Sequence, residues 1–134
     1  MNELVCLETS FIIDFLRGKD VARNVLLELK ENEEFICVAS PTIMEFVKGA
    51  HLKGNFQKEI DNIEKFLSSV FVLDFDKKSA FLAGEISRIL ENTGEEIGIM
   101  DIMIGAIALQ NNESLLTRNV KHFEKIKGLK TISY

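Results

Sequence analysis

The chain has 134 residues, 46% of them hydrophobic, a length and apolar content that predict one domain over 1–134 with a substantial buried core. Charges break every apolar run before the ~18 residues a membrane span needs, and the N-terminus lacks a basic leader followed by a long apolar segment, so a soluble, cytoplasmic protein is expected. The formal charge of −5 argues against a non-specific polyanion binder, while leaving room for an enzyme that meets nucleic acid through a local basic rim.

The first short β-branched run covers residues 3–7, and the stretch ELVCLETSF places Glu8 directly at its end. Thr9 and Ser10 are N-cap candidates for a helix over 11–17, whose N–H groups and dipole would help hold a carboxylate ionised. A second strand is predicted over 35–38. Ser40 followed by Pro41 then predicts a cap and a first-turn proline, opening a helix that carries Ile43, Phe46, Val47 and Ala50 inward. Glu45 lies one turn into that helix, between Met44 and Phe46, where a solvated position and a functional one both fit.

Phe56, Ile60, Ile63, Leu67 and Val70 form one apolar stripe at helical spacing, which ends as a third strand starts over 70–73. Leu82, Ile86 and Ile89 repeat that spacing in a helix beginning near Asp76. The segment GIMDIMIGAIAL is apolar in nearly every direction, which predicts a buried helix over 99–109. Asp101 interrupts it. An unpaired charge there carries a heavy desolvation cost, so either a cation sits beside it or it caps its own helix from the first turn. A fourth strand over 114–116 delivers Thr117, Arg118 and Asn119, and a fifth covers 130–133. Cys6 and Cys37 lie in apolar runs without metal spacing and are expected as buried, reduced thiols; His51 and His122 are expected at the surface.

Strands alternating with helices predict right-handed crossovers and an α/β fold, a three-layer α/β/α sandwich with a mostly parallel central sheet. Ligands of such sheets bind beyond the carboxyl ends of the strands. Glu8 and Asn119 follow strands that end at this edge, and Glu45 and Asp101 come from helices that start there. Three carboxylates with oxygen donors make a hard-cation site suited to Mg²⁺ or Mn²⁺, and such a site supports phosphoryl chemistry without a catalytic histidine. Arg17, Lys19, Lys48, Arg118 and Lys121 flank these motifs as candidate phosphate contacts, with Arg118 foremost.

Taken in order, "LETSFIIDFLRG", "ASPTIMEFVKGA", "IGIMDIMIGAIAL" and "LLTRNVKHFEKIKGLK" resemble the PIN-domain family, and more narrowly its VapC-type toxins, over essentially the whole chain. The resemblance implies an Mg²⁺- or Mn²⁺-dependent endoribonuclease acting on RNA such as tRNA, usually dimeric and silenced by a VapB-type antitoxin. Carried over by position, Glu8, Glu45 and Asp101 are the metal-site acids and catalytic residues. Asn119 joins them at the metal, directly or through water, with Thr9, Ser10 and Thr117 in support, and Arg118, Arg17 and Lys48 toward RNA phosphate.

One departure stands out, because the family pattern has Asp where this chain has Glu8. Glutamate reaches one bond farther, roughly 1.5 Å, which matters against the near-ideal geometry Mg²⁺ demands. A shifted metal pose, tolerance of Mn²⁺, an attenuated enzyme and an introduced change that lowers toxicity all fit. The alternative reading is therefore a weakened PIN domain that serves as an RNA- or protein-binding module. A phosphoacceptor receiver domain also gathers acids at strand ends, but its required Asp and Lys positions are missing. His122 stands where the family pattern often has Asp, and is expected to cap a turn.

Overall fold

Each strand alternates its side chains between two faces, and both faces are apolar, which forces helices onto both sides of the sheet. The computed structural model describes residues 4–50 and 54–134; Glu3 of the expected first strand and His51 lie outside them. The described elements run β1 (Leu4–Leu7), α1 (Thr9–Leu16), α2 (Asp20–Glu31), β2 (Phe35–Ala39), α3 (Ser40–Ala50), α4 (Phe56–Leu67), β3 (Phe71–Leu73), α5 (Lys77–Thr93), α6 (Ile99–Gln110), β4 (Ser114–Leu116), α7 (Val120–Phe123) and β5 (Thr131–Ile132).

The five strands pair in the order β3-β2-β1-β4-β5, and every pair is parallel. This is the α/β/α sandwich that the alternating pattern predicts. Val5, Leu7, Ile36, Val38 and Leu116 pack under Phe11, Leu26, Phe46 and Ile63, from α1 to α4. Cys6, Cys37, Ala39 and Leu115 face the opposite layer, with Ile86 and Leu90 of α5 and Ile104 and Ile107 of α6. Cys6 and Cys37 are register partners, both free thiols and both buried. Among the described residues, no helix is long and apolar enough to cross a membrane.

The chain moves outward from β1 to β2 and β3 on one side and to β4 and β5 on the other, so the sheet's direction of winding reverses between β1 and β4. Crossovers diverge there and leave a crevice at the carboxyl ends. Leu7 pairs with Leu116, which sets the next residues, Glu8 and Thr117, side by side at that crevice.

Local chemistry explains where the helices start. Asp76 caps α5 by accepting the Ser79 N–H at 2.8 Å, and Gly94 closes the helix with φ 73°, a left-handed conformation that glycine adopts freely. Ser40 opens α3 directly after β2, and its hydroxyl accepts the Phe75 N–H at 3.2 Å, tying that helix to the segment after β3. The expected burial of α6 holds at Ile102 and from Ile104 to Ala108, while Met103 is half-buried and Ile99 is exposed, because the first turn emerges at the crevice.

Candidate metal centre

Glu8 is the buried hub of the crevice, with only 3% of its surface exposed. The helix after β1 begins at Thr9, and its N-cap is Glu8 itself, which corrects the expectation that Thr9 or Ser10 would cap it. The Glu8 carboxylate curls over the first turn of its own helix. Its Oε2 accepts the Ser10 N–H at 3.0 Å, and its Oε1 accepts the hydroxyls of Ser10, at 2.7 Å, and Thr117. Those hydroxyls are themselves oriented, since Ser10 Oγ accepts the Arg118 N–H at 3.2 Å and Thr117 Oγ1 accepts the Asn119 N–H at 2.9 Å. Every partner of the carboxylate is a donor, the arrangement that an acceptor-only group requires.

Glu45 enters from α3, where its Oε1 accepts the Thr9 hydroxyl at 2.6 Å. Asp101 enters from the first turn of α6 and is partly buried. Burial raises its carboxyl above the ordinary Asp value, and the nearby charges of Glu8 and Glu45 raise it further, while His122 acts in the opposite direction. The three acids therefore share one electrostatic environment, although they come from three separate parts of the chain. The imidazole of His122 stands beside Asp101, with Nδ1 3.1 Å from Asp101 Oδ2. The side chain lies at the surface as expected, 42% exposed, but it faces Asp101 where a turn cap was expected.

The other predicted residues divide sharply. Asn119 joins the network through its backbone and starts α7 without a side-chain cap. Arg118 is committed, because its Nη1 lies 3.0 and 2.9 Å from the two oxygens of Asp14, although about half of the side chain stays exposed. Lys48 is exposed one turn beyond Glu45, in the last turn of α3. Arg17 caps the far end of α1, nine residues and so about 13.5 Å of helix away from Glu8 at ~1.5 Å per residue.

Asp14 was missing from the sequence reading. It is buried, accepts the Tyr134 hydroxyl at 2.6 Å as well as Arg118, and has Lys19 at 3.9 Å. The Tyr134 hydroxyl and the two cations hold its carboxyl below the usual range against the effect of burial. The sign that singled out Asp101, an acid inside an apolar helix, was equally present in SFIIDFL.

Do these groups suit a divalent cation? In kind they do. All are hard oxygen donors, and the mutual repulsion felt by Asp101 is what a cation would relieve. Among the described residues, however, no three His, Cys, Asp or Glu side chains lie close enough together to ligate one ion as they stand. Glu8 faces Ser10 and Thr117, Glu45 faces Thr9, and Asp101 faces His122.

The PIN domain family profile matches residues 5–129. Ribonuclease VapC2 of Rickettsia felis is 37% identical over 67 residues, 50% of this chain and 50% of that protein. The tRNA(fMet)-specific endonuclease VapC of Shigella flexneri is 36% identical over 69 residues, 52% of each. The chain thus matches about half the length of these curated relatives. Among solved structures, VapBC2 of Rickettsia felis bound to a promoter DNA fragment superposes with a TM-score of 0.89 at 27% identity, covering 97% of this chain and 98% of that one. DNA-bound VapBC of Salmonella typhimurium gives 0.89 at 27% identity, covering 99% and 98%.

Proposed function

Because the chain belongs to the PIN domain family, we propose that it is a metal-dependent endoribonuclease of the VapC type, the toxin of a toxin–antitoxin system, built as a single domain. One observation carries this reading: Asp101 lies close enough to Glu8 and Glu45 for their charges to raise its carboxyl, and Glu8 directly follows β1 where that strand pairs with β4. The names of the similar proteins, a ribonuclease and a tRNA-specific endonuclease, support RNA and tRNA as the substrate class. The VapBC structures support a VapB-type antitoxin as partner. A twofold dimer is the default assembly.

Glu8, Glu45 and Asp101, with Asn119, would hold Mg²⁺ or Mn²⁺, in part through water. Such an ion, when bound, supplies charge to the phosphoryl oxygens and lowers the pKa of water. The chain's own residues prepare the site. Ser10 and Thr117 fix the carboxylate of Glu8, and Thr9 fixes that of Glu45. Asp101 has Oδ2 turned to His122, so its Oδ1 is the atom suited to orient an attacking water and accept its proton. Burial and the neighbouring acids raise its proton affinity above that of an ordinary Asp, which suits it to that step.

Incubating the purified chain with total tRNA and Mn²⁺ tests the reading. Discrete fragments are expected, falling at least ~100-fold with Asp101→Ala, the scale of a lost general base. Equal cleavage by that variant would assign the activity to a contaminant.

A further inference from the structure

Two cavities of nearly equal size flank the Asp101–His122 pair. One, about 560 Å³, is lined by Glu91, Glu95 and Glu96 together with apolar residues of α5 and α6. The other, about 590 Å³, is lined by Arg118, Asn119, Lys121 and Lys125. His122 contributes to both walls and touches Asp101, so each cavity opens beside the acid centre. Size does not distinguish them; charge does. A polyanion approaching the crevice meets three carboxylates on one side and three cations on the other, in a chain whose overall charge of −5 gives it no general attraction.

We propose that the cavity lined by Arg118, Lys121 and Lys125 binds the RNA phosphates next to the cleaved linkage, so that the strand leaves the acid centre over α7 and not over α5. This rests on the nuclease reading above. The side chains are arranged for it. Asp14 holds the guanidinium of Arg118 through Nη1, leaving other N–H donors on a half-exposed side chain. Lys125 lines the cavity and donates to the Glu96 carbonyl, on the acidic side, at 3.0 Å, a bond that uses one of its three ammonium protons. Lys121 is exposed. Inorganic phosphate offers the same oxyanion chemistry, but only a strand can engage all three cations at once.

The test measures binding of a labelled single-stranded RNA to the full chain in an Asp101→Asn background, by anisotropy over a range of salt. Combined Lys121→Ala and Lys125→Ala is expected to weaken binding at least ~10-fold and to flatten the logarithmic salt slope by about 1.4, two phosphate contacts at ~0.7 each for a single strand. Lys30→Ala with Lys65→Ala removes the same charge at the amino edge of the sheet and is expected to leave both unchanged. Glu95→Gln with Glu96→Gln is expected not to weaken binding. In the Asp101 chain, the double lysine variant should raise KM while kcat stays within about twofold. If the parent binds RNA and the two lysine pairs behave alike, the cavity assignment is wrong and the nuclease reading stands. Lysine-dependent binding of inorganic phosphate without any effect on RNA also overturns it. A parent that neither binds nor cleaves RNA removes the nuclease reading itself.

Discussion

Asp101 shows how a single residue can be costly to the fold and useful to the site. Its carboxyl is raised by burial and by Glu8 and Glu45, so the folded chain holds its proton more tightly than the unfolded chain does. The sign follows from linkage: this effect favours folding at pH below the ordinary Asp value and is lost as pH rises through the folded value. Asp101→Asn should therefore raise Tm at pH 7 in chelator and leave it nearly unchanged at pH 3, while abolishing cleavage. Thermal melts at both pH values check this, and a lower Tm at pH 7 would show that the His122 contact outweighs the repulsion. Mn²⁺ should raise the Tm of the Asp101 chain and leave that of the variant unaffected. Glu113 is a second strained acid, buried with Oε2 unpartnered and raised mainly by burial, but it lies beside Cys37, away from the crevice.

At the scale of elements, α6 is placed by contact as much as by its own hydrophobicity. Gly105 lies where the helix meets the segment after α7, and a methyl group added there would collide with Cδ1 of the buried Ile126. Gly105→Ala should cost about 1–3 kcal/mol, the usual penalty of overpacking a filled core, despite the higher helix propensity of alanine. Adding Ile126→Val removes the colliding carbon and should recover most of the loss in urea melts. Failure to recover would mean that the backbones of the two segments, not the side chains, are in conflict. Because α6 carries Asp101 in its first turn and the segment before Ile126 carries His122, this packing also sets their pairing.

Across the whole molecule, Asp14 fastens three distant parts of the chain: α1, the loop after β4 and the C-terminal Tyr134. The tyrosine ring also packs edge-on against Phe11, with centroids 5.0 Å apart. Its hydroxyl is pushed up to about 12 by burial and by the carboxylate that it donates to. Tyr134→Phe should cost about 1.5–3 kcal/mol at pH 7, the net value of one hydrogen bond to a buried charged partner. Asp14 has a lowered folded value, so its contribution is present above the ordinary Asp value and lost as pH falls through the folded one. The difference between wild type and Tyr134→Phe should accordingly narrow as pH falls below the ordinary Asp value, as chemical denaturation at pH 7 and at successively lower pH can measure. The same clasp holds Arg118 at the cavity wall, so the variant should also weaken RNA binding.

The α/β sandwich was legible in the order of short β-branched runs and helical stripes, because a chain whose strands are apolar on both faces has few other ways to bury them. Candidate acids were legible too, where an acid stood at a strand end, as with Glu8, or inside an apolar helix, as with Asp101. Their partners were not, because hydrogen bonds between residues such as Thr117 and Glu8, 109 positions apart, exist only once β4 has paired with β1. For the same reason, sequence spacing paired neither His122 with Asp101 nor Arg118 with Asp14, contacts that exist only in the folded chain. Residue types and local periodicity are written along the chain, but which charge faces which is set by where the strands and helices end.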